Sequence, residues 1–155
     1  MSTVDVTSAI EKAGANEDVK KLDGYFLCSC FASIRQAGEK IIQWTLLYYN
    51  PQINKVVDCF VSDTLVTVGE ETPPMAEIEK PDFSELKISV EDALETAKKD
   101  SMKSAINILI TLHQKGRLIW TINLISSDMI ATTIDIDAKT GGVTRKEETS
   151  LIRRL

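Results

Sequence analysis

Histidine is almost missing from this chain, and its scarcity excludes a good deal. His113 is the single histidine among 155 residues, so a multi-histidine metal centre or a histidine-paired nucleophile has little to build on. Cysteine is nearly as rare. Cys28, Cys30 and Cys59 make an odd count of 3 with no Cys-x-x-Cys spacing, which fits reduced core thiols better than a disulfide framework. No apolar run is long enough to span a bilayer, and Met1-Ser2-Thr3-Val4-Asp5 has neither the basic lead nor the apolar stretch of a secretory signal. Read as the native start, this N-terminus places the protein in the cytoplasm; residues removed upstream would make it extracytoplasmic instead. Basic excess is lacking too. Lys and Arg number 18 against 23 Asp and Glu, a net charge of -5, which argues against a nucleic-acid partner. The basic tail residues Arg145, Lys146, Arg153 and Arg154 are interrupted by Glu147 and Glu148, as solvated charge is.

What is present is patterned hydrophobicity at 43% of the chain, the share of an ordinary folded protein. The clearest pattern is Arg117 to Ile125, where Leu118, Trp120, Ile122 and Leu124 share one strand face. After Ser126-Ser127-Asp128 the alternation resumes with Ile130, Thr132, Ile134 and Ile136, and Ala138-Lys139-Thr140-Gly141-Gly142 closes the hairpin. Upstream, residues 3–21 carry a helical spacing of Val6, Ala9, Ile10 and Ala13, weakened at Gly14 and Asn16. Tyr25–Arg35 reads as a strand with Phe26, Cys28, Cys30, Ala32 and Ile34 on one face and Tyr25, Leu27 and Phe31 on the other. Gln36-Ala37-Gly38-Glu39 is a turn. Ile42, Trp44, Leu46 and Tyr48 form the inward side of a second strand, and Val56–Val61 and Thr64–Val68 follow. Glu70–Pro81 is acidic, aperiodic and stiffened by Pro73, Pro74 and Pro81, the marks of a linker. Ser89 then caps a second helix with Val90, Ala93, Leu94 and Ala97 as its stripe, and Ile106, Ile108, Ile110 and Leu112 mark a further strand. Val143–Leu151 is polar and suits an edge strand running into a tail.

Both halves follow one element order, and Trp44–Ser62 aligns without a gap against Trp120–Ala138. An internal repeat is therefore expected. The expected fold is α+β: two repeats of one helix packed on a three- to four-stranded antiparallel sheet, with residues 1–69 as the diverged repeat, 70–87 as linker and 88–155 as the second repeat. The outward face of the first half is apolar across Leu27, Phe31, Ile41, Leu47, Tyr49, Val57, Cys59 and Val61, so it needs a cover.

Ile88–Thr144 resembles a PepSY domain. The opening helix Ser89-Val90-Glu91-Asp92-Ala93-Leu94-Glu95-Thr96-Ala97, the aromatic-centred strand Leu118-Ile119-Trp120-Thr121-Ile122, and the close at Ile134-Asp135-Ile136-Asp137-Ala138-Lys139-Thr140-Gly141-Gly142-Val143 carry the likeness. The first half is similar but diverged: Trp44 fits, and Val61-Ser62-Asp63-Thr64 lacks the terminal glycine. The resemblance implies a tandem PepSY-like protein with a helix on an antiparallel sheet and no catalysis, of a kind found in metalloprotease-inhibiting propeptides and in envelope or regulatory proteins.

No residue set carries a catalytic signature, and no cofactor is expected. Asp135 and Asp137 share a strand face and could chelate a hard cation, but a solvated hairpin face with Asp137 bracing the Thr140-Gly141 turn is the favoured reading. His113 reads as a surface histidine beside a turn. Cys28 and Cys30 read as core, as do Trp44 and Trp120. The function expected is a non-catalytic binding or regulatory module that recognises a protein or peptide, with protease regulation as one form of it. Its partner-binding surface is expected at Tyr25, Phe31, Leu47 and Tyr49. The alternatives are a structural homodimer closed by the same apolar face and a small-ligand or metal-binding domain around Asp135 and Asp137.

Overall fold

The computed structural model describes residues 3–36, 38–100 and 104–152. Met1 and Ser2, Ala37 of the expected turn, and Arg153 and Arg154 of the expected basic tail lie outside them. Two helical segments open the chain, α1 (Val6–Ala15) and α2 (Glu17–Lys20). The break between them is at Asn16, whose extended backbone (φ -77°, ψ 133°) and side-chain oxygen cap the amides of Asp18 and Val19. Then come strands β1 (Phe26–Ile34), β2 (Gln43–Asn50), β3 (Lys55–Ser62) and β4 (Val66–Thr72). A single 3-10 turn (Phe83–Glu85) and helix α3 (Val90–Asp100) lead to β5 (Ala105–Lys115), β6 (Arg117–Ser126), β7 (Ile130–Asp137) and β8 (Val143–Ser150). Ser89 caps α3 as its sequence suggests, its hydroxyl accepting from the Asp92 amide at 3.1 Å.

The expected pair of separate helix-on-sheet repeats does not form. All eight strands join one antiparallel sheet in the order β4-β3-β2-β1-β5-β6-β7-β8. The join is β1 against β5, from Ser29 opposite His113 to Ile34 opposite Ile108. The physical reason lies in the edges. A four-stranded sheet would leave β1 and β5 as unpaired edges, and pairing them with each other removes both. Alternation in a sequence reports which face a residue takes, but not which edge meets which, so the join was hidden.

Helices α1 and α3 lie on the same face of this sheet. Ala9, Ala13, Ala93 and Ala97, all without solvent exposure, set them down on a single core built from Cys30, Ile34, Leu46, Cys59, Ile110, Leu112, Ile122 and Ile134. Alanine at each contact lets the helix axes come close to the strands. Trp44 and Trp120 meet at the centre, ring centroids 6.1 Å apart and inclined 48°. They stand on β2 and β6, with Cys30 and Ala32 of β1 and Leu112 and Ile110 of β5 in the rows between them. Each indole N–H is satisfied by a backbone carbonyl, Trp44 by Val4 at 2.7 Å and Trp120 by Ile88 at 2.9 Å, so neither buries an unpaired donor.

The apolar outward face expected of the first half is largely core. Ile41, Cys59 and Val61 belong to the buried cluster, Leu27 packs against it, and Val57 pairs with the buried Tyr48 on that side. A register shift between Leu27 and Ser29 explains part of the difference. The bulge inserts one residue and exchanges the faces before and after it. Leu27 therefore pairs with Tyr48 and turns inward, whereas Phe26 pairs with Tyr49 and turns outward.

Candidate functional site

Among the described residues, the helices leave the opposite face of the sheet uncovered, and one segment crosses it. From the end of β4, residues 72–79 run over β3, β2, β1 and β5 as a strap. Its far end is pinned by bonds between backbone amides and side-chain oxygens. The Glu79 carboxylate accepts from the Gly116 amide at 3.0 and 3.2 Å, and the Asp82 amide donates to Gln114 Oε1 at 3.2 Å. Beyond it the Lys87 and Ile88 amides both donate to the Ala138 carbonyl, at 2.9 and 2.8 Å, carrying the chain around the end of the sheet to the helix side.

Between strap and sheet is a cavity of about 330 Å³. Leu47, Val56 and Cys28 supply an apolar floor, Pro74 and Ile78 a roof, and Asp58, Glu77, Glu79 and His113 the polar positions. Cys28 reaches this floor because the bulge moves it off the core face. Burial raises its thiol pKa to about 11, and that of Cys59 likewise to about 11, so both are protonated and unreactive at neutral pH.

His113 is not a free surface residue. It is half-buried, and its Nε2 lies 2.8 Å from Thr121 Oγ1, which lies 2.7 Å from Asp135 Oδ1. A carboxylate only accepts, so the Thr121 hydroxyl donates to Asp135 and must accept from His113 Nε2–H. That fixes the tautomer and leaves Nδ1 as an acceptor. Burial is the main cause that lowers the His113 pKa below 6.5, helped by the Lys115 charge and opposed by Asp135 and Glu79, so the ring is neutral near pH 7.

Asp135 and Asp137 are likewise not solvated. Their side chains are 5% and 10% exposed. Lys115 Nζ stands 3.6 Å and Arg145 Nε 3.5 Å from Asp135 Oδ2. This arrangement needs β5, β6, β7 and β8 side by side, and the hairpin registers Thr121–Asp135 and Asp135–Arg145 set it. Asp137 braces its turn as expected: Oδ1 accepts from the Lys139 and Thr140 amides at 2.8 and 3.2 Å, and Oδ2 pairs with Arg117 at 3.1 Å. Desolvation opposes ionisation of Asp137, but those two amides and the Arg117 guanidinium outweigh it and hold its carboxyl below the ordinary value of 3.8. Among the described residues no three His, Cys, Asp or Glu side chains converge as a metal site.

The four residues expected to bind a partner are divided. Phe31 is exposed on the outer face, Leu47 lines the cavity, and Tyr49 stacks edge-on with Phe26 at 5.7 Å while its hydroxyl donates to Asn54 at 2.8 Å. Tyr25 turns to the core side, its hydroxyl donating to Glu71 at 2.8 Å. The sequence reading missed Asp58, Glu77 and the His113–Thr121–Asp135 chain. Counting back from the Ser126–Asp128 turn would have put Thr121 opposite Asp135, but nothing in the strands announces that β5 sets His113 beside them.

A broad antiparallel sheet with helices on one face and a strapped open face defines the class. Within it, residues 87–147 match the family model PepSY, described as the peptidase propeptide and YPEB domain. No curated protein matches the chain. Among solved structures, the chain is similar to a crystal structure described as a putative lipoprotein from Clostridium difficile 630, at 17% identity and a TM-score of 0.63, over 95% of this chain and 94% of that one. That likeness shows a shared fold across nearly the whole length. The expected internal repeat is corrected here as well, because the family match spans the second half alone and the strands form one sheet. The cytoplasmic expectation is withdrawn. It rested on the first residues, and the comparisons point away from that compartment, to a lipoprotein by description and to a family described from peptidase propeptides. Among the described residues no helix is long and apolar enough to cross a membrane.

Proposed function

We propose that this protein is a non-catalytic binding module that recognises a protein or peptide through the helix-free face of its sheet, in the manner of a regulatory domain. One observation carries the reading: the sheet buries one face under α1 and α3, while the other holds the strapped cavity with Leu47 in its floor and Phe31 exposed beside it. An exposed, large apolar side chain next to a concave polar-rimmed site is what a recognition surface offers. The match of residues 87–147 to a family described from peptidase propeptides supports a protein partner, and a peptidase is the partner class to test first.

The test is a pull-down from source-organism lysate with the wild-type chain, Phe31→Glu, and Lys98→Glu on the exposed side of α3. A protein recovered by wild type and Lys98→Glu but lost with Phe31→Glu supports the reading. Equal recovery by all three, or loss only with Lys98→Glu, overturns it. Phe31 is exposed, so its replacement leaves the fold intact, and circular dichroism checks that directly.

A further inference from the structure

Resting on that reading, we infer that the strapped cavity receives the basic side chain, lysine or arginine, of a partner chain. Charge complementarity is the argument. Three carboxylates, Asp58, Glu77 and Glu79, line the cavity and no Lys or Arg does. Glu79 is held at the Gly116 amide, so its charge is fixed at the rim. The side-chain carboxylates of Asp58 and Glu77 have no hydrogen bond or ion pair among the described residues. They come from different elements, β3 and the strap, and line the same half-open cavity, Asp58 half-buried and Glu77 exposed at its mouth.

The other walls suit the rest of such a side chain. A lysine or arginine carries an aliphatic stem that packs on apolar surface while its head seeks acceptors. Leu47, Val56, Pro74 and Ile78 provide that surface. His113 adds an acceptor instead of a competing cation, because its proton is committed to Thr121. The volume of about 330 Å³ sits at the small end of ligand pockets and exceeds what one side chain fills, which leaves room for the backbone that delivers it. Lys80, the residue just after the strap, lies outside the lining and over the Phe26 ring, 5.5 Å from its centroid.

The experiment follows amide shifts of the full-length protein by heteronuclear NMR against four capped tripeptides, Gly-Arg-Gly, Gly-Lys-Gly, Gly-Leu-Gly and Gly-Glu-Gly. Saturable shifts at Ser29, Asp58, Glu77 and His113 are expected from the two basic peptides, with Kd on the order of 1 mM. Asp58→Asn and Glu77→Gln should each weaken them roughly fivefold. Both substitutions keep shape and polarity, so the fold is retained. Equal shifts from the leucine or glutamate peptide, no saturation by either basic peptide, or unchanged affinity in both variants would overturn the inference. The Phe31→Glu pull-down distinguishes the two ideas. If it loses the partner while the Asp58→Asn/Glu77→Gln double variant keeps it, the face binds and the cavity takes no basic side chain.

Discussion

Replacing Asp135 by asparagine removes one charge from the centre of the outer-face network and changes almost nothing else in shape. The carboxylate accepts the Thr121 hydroxyl at 2.7 Å and faces Lys115 and Arg145 at 3.6 and 3.5 Å. A charge-assisted hydrogen bond contributes about 1.5–3 kcal/mol, and the asparagine carbonyl keeps a neutral bond of about 1 kcal/mol, so the exchange costs about 0.5–2 kcal/mol. Lys115 and Arg145 are 46% and 47% exposed and can turn to water, so each lost ion pair adds only about 0.2–1 kcal/mol. The sum is about 2 kcal/mol. Urea unfolding followed by the fluorescence of the buried Trp44 and Trp120 reads this as a midpoint shift of roughly 1 M. A second readout belongs to the network alone. Asp135 raises the His113 pKa while Lys115 lowers it, so Asp135→Asn must lower it further, and the single histidine makes its NMR titration unambiguous. A stability change under about 0.5 kcal/mol, together with an unmoved or raised histidine titration, would refute the reasoning.

Two more outcomes follow from the buried groups. Cys28, Cys30 and Cys59 are all buried free thiols held protonated, so a thiol reagent should label the native protein slowly and all three after unfolding in urea; rapid native labelling would contradict their burial. Asp137 has a folded pKa below 3.8, so its stabilisation is present above that value and is lost as pH falls through the folded one. The stability gap between wild type and Asp137→Asn should therefore shrink from roughly pH 5 down to roughly pH 2, as measured by urea midpoints; a gap that widens in acid would reverse the sign of the argument.

Local structure was legible where one principle governed it. The Asn16 break, the Ser89 cap, the Asp137 turn and the inward faces of β2, β6 and β7 were all visible in residue spacing, because capping, turn chemistry and alternation act over a few residues. Three things were not. The β1–β5 join depends on which edges meet, which no local pattern encodes. The bulge before Ser29 exchanged the faces of Tyr25, Phe26 and Leu27, and a one-residue insertion leaves alternation looking intact on either side. The strap read as an acidic linker, and its charge looked like solvation. Laid on the sheet, two of those acids, Glu77 and Glu79, instead line a cavity, with Asp58 supplied from β3. The proposed binding site thus lies in residues that are ordinary in sequence and come together only by assembly.

The central claim is that the helix-free face is the one that meets a partner. A photo-crosslinking residue placed at Phe31 on that face, and separately at Lys98 on α3, tests it most directly against the protein recovered by wild-type pull-down. Both positions are exposed, so reach is comparable and only the face differs. Crosslinking from position 31 and not from 98 is the predicted result. Crosslinking from position 98 alone would show that the partner sits on the helices and would contradict the account.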